Sequence, residues 1–305
     1  MKIRILGSAA GGGFPQWNCN CRNCAGIRAG TFKGHVRTQS SIAVTGSISA
    51  AAVVVNASPD ILAQLRMTPE LQPNRSLRDT GIAGIILVDG QVDHTTGLYM
   101  LREAARPLAL WCTDSTFLDL TVGNPILRVL EHFCRVDRHR IDLAQDFTVD
   151  GVVGVRWRAV PVASKPAPYS PNRDAPIPGD NVALVITDDR SGRHAVYAPG
   201  LEKIDDTLWK VMRTAAVVLV DGTFWTDDEM IELGISRKRA RDIGHLAQSG
   251  PGGMLEWLDL LSAQTRKILI HINNTNPILD ESSAQASELR RRGVEVAWDG
   301  MEIDV

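Results

Sequence analysis

The chain has 305 residues, 44% of them hydrophobic, which is enough to bury a substantial core; no linker divides it, so one domain over residues 1–305 is expected. A formal charge of −2 offers no general attraction for nucleic acid or an anionic membrane, and neither is an expected partner. The longest apolar run, Ile48 to Val55, is too short to span a bilayer, and the N-terminus does not read as a signal peptide, so a cytoplasmic location is expected.

Ile3 to Leu6 is the first expected strand, and a long loop from Gly7 to Phe32 follows it. That loop carries Cys19, Cys21 and Cys24. A C-x-C pair is too cramped to bridge easily, and three thiols leave one unpaired, so a metal clip is expected rather than a disulfide. Zinc takes four ligands in a tetrahedron, usually in a structural role where thiolates dominate, and the clip supplies three. Cys112 and Cys134 stand apart, and the odd total of five suggests a reducing compartment. The glycine run Gly7 to Gly13 has neither the ending of a P-loop nor the spacing of a dinucleotide fingerprint.

Further along, Ser41 to Val44 and Ala52 to Asn56, joined through Gly46, read as a hairpin. Pro59 to Met67 has a helical pattern, and Ile82 to Val88 is a strand that ends at Asp89. Helices are expected over His94 to Arg106 and Ile126 to Arg135. Three strands follow, Val152 to Val160, Val182 to Thr187 and His194 to Tyr197, with a proline-bearing loop from Ser164 to Asp180 between the first two. Strands Val217 to Val220, Ile268 to Ile270 and Val294 to Trp298 then alternate with helices over Glu202–Thr214, Thr226–Gly234, Met254–Ser262 and Ser283–Arg292. Clustered strands interspersed with helices indicate a mixed α/β fold with two sheets.

Three of these strands end in a potential ligand: Asp89, Asp221 and His271. Strand ends are held by a rigid sheet yet open onto loops, the usual setting for a site. In the run Asp89-Gly-Gln-Val-Asp-His94, the alternating Asp89, Gln91 and Asp93 could aim several oxygens at one point. Asp93 and His94 open a helix, where Asp is also a favoured cap. His245 lies among glycine and small residues and is a further candidate. Two histidines and a carboxylate can hold Fe(II) with positions left open, and Asp93, His94 and His271 are the first choice. His35, His132, His139 and His194 have charged or surface-like neighbours and read as solvated.

Asp93-His94, strand-end Asp221 and strand-end His271 together resemble the metallo-β-lactamase superfamily, whose αββα four-layer sandwich (an α+β variant of the α/β class) gathers ligands along one sheet edge. The superfamily signature H-x-H-x-D-H reads D-x-Q-x-D-H here, and a Gln amide is a poor zinc ligand. Longer motifs narrow the resemblance: Leu6 to Cys21, Arg37-Thr-Gln-Ser-Ser41, Asn56-Ala-Ser-Pro-Asp60, Asp93-His-Thr-Thr-Gly97, Tyr197-Ala-Pro-Gly200, Asp221-Gly-Thr223 and His271 to Pro277 are similar to the pyrroloquinoline quinone (PQQ) biosynthesis protein B family. The resemblance implies a role in making PQQ from a cross-linked Glu-Tyr precursor. One form is iron- and oxygen-dependent hydroxylation of the tyrosine ring, which would make the chain a non-haem iron hydroxylase with Asp93, His94 and His271 on Fe2+. The alternative is a carrier that binds PQQ or its precursor for transport to the periplasm, and a zinc hydrolase with unorthodox ligands is a third reading. A related phosphodiesterase branch shares the C-x-C-x-x-C zinc clip and completes it with a histidine beyond the strand-end His. Here that region reads Asn273-Asn274-Thr275, so Asn274 or another group of the loop is the expected fourth ligand. Lys165 could anchor a substrate carboxylate. Self-association into a homo-oligomer is left open by the sequence.

Overall fold

The computed structural model describes residues 1–46 and 51–305. The start of the apolar run at Ile48, and the turn of the hairpin after Gly46, lie outside the described residues. The first sheet is built from β1 (Lys2–Gly7), β2 (Ser41–Thr45), β3 (Ala52–Val55), β4 (Ile82–Ile86), β5 (Leu108–Cys112) and β6 (Val136–Arg140). The second takes β7 (Asp146–Phe147), β8 (Val155–Pro161), β9 (Val182–Asp188), β10 (His194–Ala198), β11 (Val217–Asp221), β12 (Arg266–Ile270) and β13 (Val294–Val296). β14 (Glu302–Asp304) then returns to the first sheet, giving the orders β14-β1-β2-β3-β4-β5-β6 and β13-β12-β11-β10-β9-β8-β7. Each sheet is half antiparallel and half parallel, the parallel parts being β3 to β6 and β10 to β13.

Alternation along the strands dictates the layering. In β9, Val182, Leu184 and Ile186 join the cluster between the sheets, while Ala183 and Val185 face outward. β11 repeats the split, with Val217 and Leu219 inside and Val218 and Val220 outside. β3 does the same in the other sheet, with Val53 and Val55 inside and Val54 outside. Because both faces of these strands are apolar, both must be covered. The helices are α1 (Arg22–Arg28), α2 (Ile61–Met67), α3 (Val92–Thr95), α4 (Asp114–Leu118), α5 (Ile126–Leu130), α6 (Asp206–Met212), α7 (Glu229–Glu232), α8 (Met254–Asp259) and α9 (Ala284–Arg291). Cys24 of α1, Leu208 and Met212 of α6, Met254, Leu255 and Leu258 of α8 and Leu289 of α9 pack on the outside of the second sheet. Ile61 of α2, with Ile126, Leu127 and Leu130 of α5, packs on the outside of the first. The outcome is four layers, αββα.

Several expected elements are shorter than the sequence suggested. The helix expected over His94–Arg106 is α only to Thr95 and continues as a 3-10 helix over Thr96–Leu101. Gly97 explains the change, because a Cβ there would meet the Ser58 carbonyl oxygen at 2.1 Å. The backbone is thereby pressed against the Ala57–Ser58 turn, and Gly97 N–H donates to the Ala57 carbonyl at 2.8 Å. Helix α5 stops at Leu130, and the chain turns through a left-handed Arg135 with φ of 66°. Of Glu202–Thr214 only Asp206–Met212 is helical, because Asp205 caps the Leu208 amide at 2.9 Å. The strand Val294–Trp298 ends at Val296, and β14 rather than β13 is the last strand. The loop Gly7–Phe32 contains α1, and β5 and β6 were not anticipated. His139 is not simply solvated: its ring stacks on Trp111 at 4.1 Å between centroids.

Trp157 is fully buried between the sheets. Trp157→Ala is expected to destabilise the fold by about 3–5 kcal/mol, read from the shift of a urea unfolding curve.

Candidate metal centre

The parallel halves of the two sheets bring strand ends together, and the polar residues that follow β4, β11 and β12 meet in one cluster. After β4 the chain reaches Asp89 and enters α3, which carries Asp93 and His94. His94 Nδ1 lies 2.8 and 3.0 Å from the two oxygens of Asp89, which fixes the ring. Its Nε2 is buried with no hydrogen-bond partner, and the nearest carboxylate oxygen, Asp93 Oδ2, is 3.8 Å away. Asp93 Oδ2 is also 3.1 Å from His271 Nε2. Ligands at adjacent positions around an ion, each about 2.1 Å from it, stand about 3 Å apart. The three atoms therefore have the spacing of a shared cation, and a buried imidazole nitrogen aimed at nothing else is the mark of a ligand.

His271 itself is held in the left-handed region, with φ of 60°, immediately after β12. An L-residue there costs about 1–2 kcal/mol, and Thr223 supports it: the hydroxyl lies 2.9 Å from His271 Nδ1 and donates to the His271 carbonyl at 2.9 Å. The same oxygen is 3.1 Å from His245 Nδ1. His245 stacks on His271, with centroids 5.3 Å apart, and its Nδ1 is 2.7 Å from Asp221 Oδ2. Asp221, His245 and His271 thus form a second donor set that shares His271 with the first. The Asp221 carboxylate is already occupied, accepting from the Leu201 amide at 3.1 Å and the Thr223 amide at 2.9 Å. It serves better as the orienting group of His245 than as an open ligand.

Charge balance inside the cluster is close. Burial works against a charged His94, but Asp89 and Asp93 outweigh it and push the imidazole up to about 9. Burial likewise opposes the Asp93 carboxylate, yet His94 and His271 hold it well below the usual carboxylate range. The same contest lowers Asp221 and raises His245, each through the other.

Two expected donors do not point into the cluster. Asp89 is spent on His94, and its Oδ1 also accepts the Gln91 amide at 2.9 Å. The Gln91 side chain turns away and donates to the Lys165 carbonyl at 3.1 Å. The idea that Asp89, Gln91 and Asp93 aim oxygens at one point is therefore corrected, because pairing with His94 and with the 164–180 loop satisfies the first two locally. Thr223 was missed by sequence reasoning, although the Asp221-Gly-Thr223 turn after an apolar strand carried the signal.

A second cluster forms around the cysteine loop. Cys19, Cys21 and Cys24 bring their sulfurs within 4.8 Å of one another, Cys24 from inside α1 and the others just before it. The Asn274 amide lies against all three, with Nδ2 3.0, 3.7 and 3.3 Å from the sulfurs of Cys19, Cys21 and Cys24. Turned over, that amide would present its oxygen at the same place. Three thiols and one amide suit a tetrahedral zinc. Asn23 fixes the loop by donating to the carbonyls of Asn274 and Asn276 at 3.1 and 2.9 Å. Glu229 braces it from α7, accepting from the Thr275 hydroxyl at 2.5 Å and the Trp225 amide at 2.7 Å, and burial pushes its carboxyl up to about 7. Among the described residues no helix is long and apolar enough to cross a membrane.

These features can be set beside known proteins. The β-lactamase superfamily domain model matches residues 52–272. The coenzyme PQQ synthesis protein B of Azoarcus sp. (strain BH72) is 61% identical over 305 residues, covering all of both chains. That of Cupriavidus taiwanensis is 59% identical over 302 residues, covering 99% of this chain and 98% of the other. The crystal structure of Zn(2+)-bound PqqB from Methylobacterium extorquens superposes with a TM-score of 0.91 at 34% identity over the full length of both chains. A diphosphatase of the PhnP family shares the fold, with a TM-score of 0.68 at 16% identity over 100% of this chain and 97% of the other. The αββα sandwich is accordingly the metallo-β-lactamase fold, and the chain belongs to the coenzyme PQQ synthesis protein B family of the β-lactamase superfamily.

Proposed function

We propose that this chain, acting as a single domain, serves PQQ synthesis as a metal-dependent hydroxylase of a tyrosine ring in the Glu-Tyr-derived intermediate. The observation that carries the proposal is the bare, buried Nε2 of His94 beside Asp93 and His271. In this reading Asp93, His94 and His271 hold Fe(II), and Cys19, Cys21, Cys24 and Asn274 hold a structural zinc. Bound at the first set, Fe(II) would supply the redox chemistry that lets dioxygen add to a phenol. Asp89 keeps the His94 ring in one orientation, and Thr223 keeps His245 and His271 from turning. Gly11 leaves room over Asp93, since a Cβ there would sit 3.3 Å from Asp93 Oδ2. The replacement of two superfamily histidines by Asp89 and Gln91, both engaged elsewhere, supports one open cation site rather than the pair a zinc hydrolase uses. The names of the relatives speak of synthesis, and nothing in the site favours the carrier alternative.

Anaerobic loading with Fe(II), followed by oxygen, a two-electron reductant such as ascorbate and the Glu-Tyr-derived substrate, is expected to give a product that has gained one oxygen atom, the other leaving as water, detected by mass spectrometry. Binding without turnover would return the carrier reading. Asp93→Ala and His94→Ala should each lower turnover by more than the roughly 10–100-fold that losing an outer partner costs. Asp89→Asn should fall inside that range of about 10–100-fold for iron affinity, measured by competition with a chelator, while unfolding stays cooperative. Cys21→Ser should lower zinc content and melting temperature yet leave the iron stoichiometry of the protein that remains folded unchanged, as metal analysis would show.

A further inference from the structure

Three of the large apolar side chains exposed on the surface rim one groove. Val36, Met67 and Trp298 are 66%, 58% and 48% exposed, and they border a cavity of about 1100 Å³. Its floor is apolar and buried, formed by Phe14, Ile278, Leu289 and Met301 with the edge strand β13. Gathered apolar exposure around a concavity of this size indicates an occupant rather than chance.

The polar groups of the groove say what kind. Arg37 lines it and is only 7% exposed. Its Nη1 donates to Ser8 Oγ at 3.0 Å and to the Ala297 carbonyl, but Nε is buried without a partner. No carboxylate among the described residues hydrogen-bonds this guanidinium. Asp299, the nearest acid in the wall, spends its oxygens on the Thr38 amide at 2.6 Å, the Thr38 hydroxyl at 2.7 Å and Ser8 Oγ at 2.7 Å. Glu295 pairs with Arg266 at 2.6 Å, and Glu281 lies 3.5 Å from His35. Arg290 at the rim donates to the Glu281 carbonyl and to Ser287 Oγ, not to an acid. Asp299 and Glu281 act on Arg37 through their charge, but both acids place their close contacts elsewhere, and Arg37 Nε keeps no partner. A buried guanidinium with free N–H groups next to apolar walls suits a carboxylate attached to an apolar body.

We propose that this groove is a second ligand site, separate from the metal cluster, that binds a small apolar carboxylate with its anionic end on Arg37 and its body against Phe14 and Trp298. 3-Phenylpropionate is a suitable probe, with 3-phenylpropionamide as its uncharged counterpart, followed by titration calorimetry on the full chain. The acid is expected to bind about tenfold or more tightly than the amide, as a charge-assisted contact requires. Arg37→Met should remove that preference. Arg37 also ties Ser8 to Ala297 and its loss could unfold the chain, so Val36→Asp supplies an independent test. It places a negative charge on an exposed rim position and should weaken the acid by about tenfold while leaving the amide unchanged. Asp93→Ala should leave both affinities as they are. Equal affinity of acid and amide, or binding that survives Val36→Asp but is lost with Asp93→Ala, would overturn the proposal. So would a tetrapeptide with a free C-terminus binding tenfold more tightly than phenylpropionate, since the groove would then be a peptide site.

Discussion

The polar loop that follows β12 is the constraint on which both donor clusters depend. Between His271 and Asn276 it supplies one imidazole to the carboxylate–imidazole set and one amide to the thiol set, only three residues apart. Such a loop can be buried only if its polar groups find partners. Asn276 donates to the Gly222 and Thr223 carbonyls at 3.0 and 3.1 Å, which ties it to the end of β11. Asn23 reaches it from α1, Glu229 from α7, and the Asn273 amide returns to the Thr223 carbonyl at 3.1 Å. The left-handed turn at His271 is therefore held by hydrogen bonds on both sides of the loop. Its conformational cost of about 1–2 kcal/mol is small against several such contacts at about 0.5–1.5 kcal/mol each.

How much of this could be read from the chain depends on the physical signal each element leaves. Apolar β-branched runs such as Val217–Val220 and Ile268–Ile270 are buried on both faces, so they announced their strands and placed Asp221 and His271 at the ends. β6 gave no such signal, because Val-Asp-Arg-His-Arg lies at the edge of the first sheet and keeps polar side chains. Helix α1 was hidden by the cysteines, whose ligand pattern drew attention away from the helical stretch Arg22–Arg28. His94, Asp93 and His271 were legible as a set from their positions. Asp89 and Gln91 were not separable from them, since alternation cannot tell a ligand from a residue that orients one. That distinction needs the 2.8 Å contact between Asp89 and His94 and the turn of Gln91 toward Lys165.

The same contact explains why the cluster is stable with so many buried acids and imidazoles. Asp89, His94, Asp93, His271, His245 and Asp221 form a chain in which carboxylates and rings alternate except where His271 stacks on His245, so that each acid faces at least one imidazole. Buried charges of one sign would repel strongly at these distances, whereas alternation lets each desolvated group find its opposite. Asp119 is the exception. It is fully buried beside Gly90 with neither oxygen partnered, and burial, with Asp180 and Asp89 nearby, pushes it up to about 6.

Two donor sets of different character within one loop also bear on how the proposed metals would be kept apart. Thiolates favour zinc and other soft or borderline ions, and they close the coordination shell when an amide completes it. Imidazole and carboxylate accept Fe(II), bind it less tightly than they would bind zinc, and leave positions open. Affinity alone would then load zinc into both sites. What separates them on this reading is shape. The thiol set is enclosed by α1 and the Asn274 loop, whereas Asp93 faces the space kept clear by Gly11. On the proposed reading a closed soft site satisfies zinc and an open site leaves room for a substrate and an oxidant beside its ion, so shape rather than binding strength would set the two apart.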